Sequence, residues 1–572
     1  MGLLTKQIKR VSKKEFAFAM LFLIMLAFNI WMAPRSSSFL ALDEAFYIAV
    51  PYRMLQGDAL LIHEWNMAQM GMFLLKPLLR VYLALMGTTE GILLNFRYIY
   101  VFFHSLVALY VYFRLRKINF MAAAAVALFY MAYCYGNIMA LSYNTIGIGL
   151  MLMTCVSLAV CKGKAAEMFA IGLLFAGAVL CCPFLLIAYV IYCLAVLYFR
   201  IMHRLPKHVE GAFAVKSWLC FSAGCAALAV VFVLPVLLSG ESAKIIKTLP
   251  LILQDEEHPS KTLVEWAKGF CVAFIRSNAW FKELAIAGTI LFCVILLDKN
   301  KTKRRSIYLI AASIISMVFA LPYILMYREG NYLLFPISII GFYAYLLCTK
   351  KNVPLFVLVY VPGIIFWACR DMGSNLGFYS ISAGAAVNMA ASLVFVAELA
   401  EEIWGKKGRF AAAEKVLLLI PSLCLVCLFS TMIVSRVEVI DEIDAVCSVG
   451  SAKGIAAGAE QISAIEREYE SLAPIRDIKH GNVMYFSLSY SCLHYLEDEK
   501  NCSSYSMWFI ASEKNMEKLD KYWSMFPEKK PDYICLTDEQ FKDEALVRNF
   551  DKYSYSVMSL SDGAVLCMDY TE

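Results

Sequence analysis

The stretch of this 572-residue chain best equipped for chemistry lies early, between two apolar runs. It reads Leu42-Asp43-Glu44-Ala45-Phe46-Tyr47, then Arg53 to Asp58, then His63-Glu64-Trp65, and finally Lys76-Pro77. An ionisable side chain beside an apolar layer loses hydration unless something pairs with it, so the adjacent carboxylates Asp43 and Glu44 stand out. In water at the start of a helix the same two residues would serve simply as caps. On a helix, Asp43 and Tyr47 are i,i+4 and share a face. Asp43, Glu44 and Glu64 are the candidate catalytic carboxylates, because a hydroxyl attacking an activated sugar needs a carboxylate to take or orient its proton. Arg53 and Lys76 supply positive charge, which a departing phosphate requires as its own charge develops. His63 and Glu64 are candidate ligands for a divalent cation, although a lone histidine near an aromatic residue also serves as an interface contact.

Two later segments carry polar groups at the ends of apolar runs. These are Leu141-Ser142-Tyr143-Asn144-Thr145 and Tyr327-Arg328-Glu329-Gly330-Asn331-Tyr332 followed by Leu333 to Pro336. Arg328 at the mouth of a run is either a snorkelling charge or a phosphate ligand. Tyr47, His63, Tyr143, Asn144 and Tyr332 complete the candidate substrate contacts. Arg370 and Asp371 read as a solvated surface pair, because they are adjacent.

The elements that must position these residues are membrane helices. Hydrophobic residues make up 61% of the chain and charged residues 17%, with a mean hydropathy of +0.64. A soluble domain carries about 25% charged residues. The net charge of +6 does not point to nucleic acid, because basic clusters such as Lys6 to Lys14 and Lys299 to Arg305 sit at the ends of apolar runs, where topology calls for them.

Thirteen runs are expected to span: 16–33, 95–113, 119–135, 143–160, 166–182, 184–200, 212–238, 281–297, 306–326, 331–348, 353–368, 380–398 and 412–434. The basic connectors fall at alternate turns on the side of the N-terminus, so the N-terminus is expected to be cytoplasmic and residues 436–572 extracytoplasmic. One bent helix across Cys182-Pro183 is the alternative that would invert this parity. The fold expected is thus a polytopic α-helical membrane domain over 1–435, with a small extracytoplasmic α/β domain over 436–572. Two long outer loops, 34–94 and 239–280, contain amphipathic stretches at Met70 to Met86 and Thr262 to Phe274, suited to the interface plane.

In the C-terminal part the pattern predicts a helix over Ala456 to Leu472 and another from the N-cap Ser512 to Trp523. Strands are expected at Asn482 to Phe486, Trp508 to Ala511, Tyr533 to Leu536 and Ala564 to Met568. There is no phosphate loop, dinucleotide fingerprint or metal-spaced cysteine pair, so a lid, an acceptor platform or a partner-binding domain fits better than a reaction centre. Most of the 19 cysteines lie in apolar runs as small hydrophobes, while Cys447, Cys492, Cys502 and Cys535 either pair, if their domain faces an oxidising compartment, or stay unpaired and partly buried.

Taken in order, the motifs resemble the polyprenyl-phosphate-dependent glycosyltransferases of the GT-C fold, particularly the protein O-mannosyltransferase and lipid A aminoarabinose transferase group. Asp43-Glu44-Ala45-Phe46-Tyr47 looks like that group's acidic motif after the first span, Gly57-Asp58 its Gly-Asp, and Lys76-Pro77 its Lys-Pro-Pro-like element. Arg328 with Tyr332-Leu333-Leu334-Phe335-Pro336 looks like its Arg-Tyr-Leu-Leu-Pro element. The thirteen-span count is similar to the aminoarabinose transferase plan. The resemblance implies an inverting transfer of sugar from a polyprenyl-phosphate donor to a hydroxyl or phosphate of a glycan, lipid or protein acceptor at the outer leaflet of a bacterial cell membrane. Asp43 would be the catalytic carboxylate, and Lys76 and Arg328 would hold the donor phosphate. The group often has an acidic residue before the lysine where this chain has Leu75, a gap that Glu64 would have to fill. The competing classes are a secondary transporter or lipid-linked sugar flippase, which usually shows internal repeats not visible here, and a non-catalytic scaffold.

Overall fold

The structure, a computed structural model, describes residues 12–35, 43–203, 205–253, 262–277, 282–300, 304–326, 330–373, 380–405, 409–486 and 490–570. Among them, eleven helices are long and apolar enough to cross a membrane. Their outward surfaces carry large apolar side chains such as Phe102, Leu194, Val230 and Leu423, each more than half exposed. Such a surface is tolerable in lipid and not in water. The chain is a multi-pass membrane protein.

The eleven helices differ from the thirteen expected spans in both directions. Three expected spans fall on the shorter apolar helices Ala165–Cys181, Ile286–Leu297 and Tyr332–Leu347, while Gln69–Met86, expected in the interface plane, has the length and hydropathy to cross. The Cys182-Pro183 join is a true break. Cys182 leaves the helical region (φ −143°, ψ 89°), and Pro183, which has no N–H to donate, starts the next helix.

Close helix packing depends on missing side chains. A Cβ added at Gly172 would lie 2.0 Å from the Phe221 carbonyl oxygen, and one at Gly224 would lie 2.1 Å from that of Phe169. These glycines let the Ala165–Cys181 and Val215–Leu237 helices touch backbone to backbone.

The C-terminal part holds a two-stranded antiparallel pair, β1 (Ala445–Val446) with β2 (Ala456–Ala457), followed by β3 (Asn482–Tyr485), β4 (Asn501–Cys502), β5 (Tyr533–Leu536), β6 (Ser554–Leu560) and β7 (Gly563–Asp569). The last five form a mixed sheet in the order β4-β3-β5-β7-β6. β3 runs parallel to β4 and β5, and β7 is antiparallel to β5 and β6. Helices Ala459–Ser471 and Glu513–Met525 match the sequence pattern, with the Ser512 hydroxyl accepting from the Asn515 N–H. The expected strand at Trp508 to Ala511 is not one. Serine hydroxyls capture the backbone there, Ser504 Oγ accepting from the Ser506 N–H and Ser506 Oγ from that of Trp508, and the chain turns instead of extending.

This part is bolted to the helical part. Gly91 N–H donates to Gly450 O at 3.0 Å, Leu93 N–H to Ser451 O at 3.2 Å, and Trp65 N–H to Tyr505 O at 2.8 Å. One apolar cluster runs without a gap from Phe46 and Tyr82 to Ile462, Tyr485 and Val565. Helix Ser491–Glu497 packs against helix Ala45–Leu55, so the segment after Asp43 is held from above and below.

Candidate functional site

Asp43 lies in the turn that enters the Ala45–Leu55 helix, half-buried, with Tyr47 one turn further on. The Tyr47 ring, 3% exposed, meets the Tyr143 ring edge-on at 5.8 Å. Tyr143 opens the Tyr143–Val160 helix, whose first turn is fixed by a reciprocal cap between Ser142 and Thr145. Gly71 makes room for it, since a Cβ there would stand 2.8 Å from that of Tyr143.

Over the Tyr143 ring, 5.0 Å from its centroid, lies the Arg370 guanidinium, which donates to Asn144 Oδ1. Tyr135 lies against Arg370 and within electrostatic reach of Asp43. Burial, with the Asp43 charge, holds the Tyr47 phenol well above the usual tyrosine range, so it stays a neutral donor. One carboxylate, one guanidinium and three tyrosines thus converge. Arg370 and Asp371 are 7% and 6% exposed, which corrects the reading of a solvated pair. The end of the Val361–Met372 helix is tucked against the 182–185 break, where Cys369 Sγ–H donates to Phe184 O at 3.3 Å, and that seat turns Arg370 inward.

Several expected site residues are engaged elsewhere. Glu44, 1% exposed, accepts from Nε and Nη2 of Arg97, each at 2.7 Å, and Arg97 is not among the candidates that sequence position suggests. Arg53, also 1% exposed, donates to Asp58, to Glu64 at 3.0 Å, to the His63 carbonyl at 2.8 Å and to the Tyr522 hydroxyl at 2.9 Å. It is therefore committed to protein partners and is not open to a phosphate. Glu64 is sealed under this network, and burial raises its pKa even though Arg53 opposes the shift. Burial also disfavours ionised Asp58, but Arg53 and Lys529 outweigh it and hold that carboxyl below its usual range.

His63 does not pair with Glu64. Among the described residues, the one group of three side chains with donor atoms close enough for a metal ion is His63, Glu241 and Glu528, within 4.8 Å of one another. His63 Nδ1 accepts from the Ala59 N–H at 3.0 Å, which leaves the ring proton on Nε2, facing Glu241 Oε2 at 2.8 Å. Burial keeps His63 below the normal histidine range, in keeping with a neutral ring. Both ring nitrogens are already used, so this arrangement does not fit a metal ligand.

Lys76 opens the Lys76–Met86 helix half-buried, one turn before Arg80. Tyr332 is half-buried against the helix core, and Arg328 lies outside the described residues. One helical turn before Arg370, Trp367 lines a cavity of about 440 Å³ together with Phe335, Ile339, Ile364 and Ala385. The cavity is largely apolar and lies between the Gly330–Leu347, Val361–Met372 and Ile381–Trp404 helices. Cys447, Cys492, Cys502 and Cys535 are free thiols.

No protein-family model matches the chain, and no curated protein matches it in sequence. Solved structures do. ArnT from Cupriavidus metallidurans, determined bound to undecaprenyl phosphate, superposes with a TM-score of 0.52 at 12% identity, over 96% of this chain and 98% of that one. The archaeal oligosaccharyltransferase AglB from Archaeoglobus fulgidus, in complex with an inhibitory peptide and a dolichol-phosphate, gives 0.45 at 10% identity over 97% of this chain and 75% of that one. The chain shares the overall fold of ArnT, the GT-C fold that its first-loop motifs resemble.

Proposed function

We propose that this chain moves a sugar from a polyprenyl-phosphate donor to an acceptor hydroxyl or phosphate, with inversion at the anomeric carbon. The observation that carries the reading is the meeting of Asp43 and Arg370 around Tyr47, Tyr135 and Tyr143, one helical turn from an apolar cavity of suitable size for a lipid chain. The acceptor oxygen attacks the anomeric carbon as its proton passes to Asp43, and the bond to the donor phosphate oxygen breaks. Lys76 and Arg370 stabilise the negative charge that develops on the departing lipid phosphate, with Arg328 as the third cation implied by the resemblance. Tyr47, Tyr143 and Asn144 orient the reacting groups. Tyr332 and His63 are further from this role, His63 because its ring is held by Ala59 and Glu241.

Glu44, Arg53 and Glu64 serve as framework here. Each is buried and satisfied by a protein partner, so none is available to a substrate without breaking an ion pair. The charge parity of the connectors supports an outer-leaflet, extracytoplasmic setting for the site, with the 436–572 domain as its fixed roof.

The test is turnover of a polyprenyl-phosphate sugar by the purified protein with an acceptor. Asp43→Asn is expected to abolish transfer while leaving the unfolding temperature unchanged. Full activity in that variant would remove Asp43 from the reaction. Movement of intact donor across sealed vesicles without bond cleavage would point to a transporter.

A further inference from the structure

Asp43 and Glu44 are neighbours in the sequence, and a base does not benefit from a second negative charge beside it. If both ionised without compensation, each would raise the other's pKa. Glu44 is compensated. Its two oxygens take Nε and Nη2 of Arg97, both at 2.7 Å, in a fork-to-fork pair whose side chains are 1% and 2% exposed. The remaining prong, Nη1, donates to Ala33 O at 2.8 Å, at the end of the first membrane helix. Arg97 therefore clamps the chain on both sides of the 34–42 connection while standing on a third element, the Ile92–Leu115 helix. Cation and carboxylate sit in a pocket where an unmatched charge would be costly.

We propose that Arg97 is a positioning residue that cancels the charge of Glu44, so that Asp43 ionises within the working pH range without an uncompensated carboxylate next to it in the chain. This rests on the transferase reading above, in which Asp43 takes the acceptor proton. The groups facing the pair fit the assignment. Cys134 lies within electrostatic reach of Glu44 and Arg97, and Tyr100 and Arg436 lie beside Cys134. Around Asp43 lie Tyr47, Tyr135, Tyr143, Arg370 and Cys492. Glu64 also lies within electrostatic reach of Cys492 and carries its own cation, Arg53; Glu44 is the carboxylate next to Asp43 in the chain, and Arg97 is the cation placed on it. Arg97 acts on Asp43 through Glu44, and the sign of its effect separates electrostatics from mere support.

The experiment compares the wild type with Arg97→Gln, Glu44→Gln, the double variant and Arg97→Lys. Two readouts are taken: the acid limb of kcat/KM, and the midpoint of the Asp43 carboxyl from infrared difference spectra of each background against its own Asp43→Asn partner. Arg97→Gln is expected to move both upward by about one pH unit, because Glu44 is left uncompensated. Glu44→Gln, which leaves the cation alone, is expected to move both downward. The double variant is expected to return both to the wild-type position, and Arg97→Lys to keep the midpoint while lowering kcat. Midpoints that stay fixed while activity falls equally at every pH would overturn the proposal and leave Arg97 a structural strut. The infrared titration does not need turnover, so a wild type that transfers no sugar would defeat the transferase reading and still test Arg97. If Arg97→Gln fails to fold, the Glu44→Gln and double variants decide alone. A midpoint unmoved by Glu44→Gln would sink the idea.

Discussion

Replacing Arg53 by methionine separates the two roles that a buried arginine near a phosphate site can have. As a donor-phosphate ligand, its loss would weaken substrate binding and leave the fold intact. The structure makes it a hub, with donors to Asp58, Glu64, the His63 carbonyl and the Tyr522 hydroxyl of the C-terminal part. Methionine keeps much of the stem volume but removes the charge. Asp58 retains Lys529, whereas Glu64, 1% exposed, loses its cation altogether. Removing one partner of a buried ion pair costs about 3 to 5 kcal/mol, and that is the expected destabilisation. The compensating variant Arg53→Met with Glu64→Gln removes both charges and should recover most of the loss. Thermal unfolding in detergent reads the stability, hydrogen exchange of residues 53–65 and 513–525 reads local release, and a donor-binding isotherm reads affinity. Unchanged stability together with weakened donor binding would refute the hub and restore Arg53 to the phosphate site.

Three further expectations follow from the packing and charge. His494 is buried between Glu468, at 2.8 Å, and Glu497, at 3.6 Å; burial opposes its protonation, but the two carboxylates raise its pKa to about 9. Its contribution of about 3 kcal/mol is therefore complete below the unfolded value near 6.5 and lost as pH rises to 9, so His494→Gln should flatten stability between pH 6.5 and 9 in chemical-denaturation curves. Gly172→Ala puts a methyl group 2.0 Å from the Phe221 carbonyl oxygen, so the helix pair must separate and the melting temperature should fall. A variant as stable as the wild type would show that the contact is not tight. Ser142→Ala removes the cap of the helix that carries Tyr143 and Asn144, which should cost about 1 kcal/mol of stability and lower kcat more than it raises the donor KM.

Much of the helical architecture was legible because it depends on local composition. Every expected apolar run falls on a helix, and the Pro183 signal correctly divides two of them. What composition did not give was the length of the first-loop helix: Gln69–Met86 reaches crossing length because a 3₁₀ turn at Phe73–Leu75 joins the Gln69–Met72 and Lys76–Met86 helices. The sheet was half legible. β3, β5 and β7 are apolar runs whose residues are mostly buried, so they carry a strong signal. β6 reads Ser-Tyr-Ser-Val-Met-Ser-Leu and is an edge strand exposed along much of its length, so it offers no buried stripe to detect.

In the candidate site, neighbours within a helical turn were legible and long-range partners were not, and the reason is sequence distance. Spacing along a chain identifies partners within a helical turn, and it brought out Asp43 and Tyr47. Arg97 meets Glu44 across 53 positions, Arg370 meets Asn144 across 226, and Arg53 meets Tyr522 across 469. No local pattern ranks such pairs. Adjacency misled in one case: Arg370 and Asp371 looked like each other's partners, yet consecutive residues on a helix point in different directions, and Arg370 turns to Tyr143 and Asn144 instead. A signal was nevertheless present. Arg97, Arg370 and Arg436 each interrupt or end an apolar helix, and a guanidinium kept there must have its donors satisfied. Each does find partners: Arg97 finds Glu44, Arg370 finds Asn144 and the tyrosines, and Arg436 finds Asn29 Oδ1 at 2.7 Å together with the Ala132 carbonyl at a helix C-terminus. Of the three, Arg97 is held by a paired carboxylate and Arg436 by an amide and a helix end. Arg370 donates to a neutral amide and lies against tyrosines, with Asp43 in the same cluster, and in the proposed transferase the donor phosphate would bring that guanidinium a further negative charge.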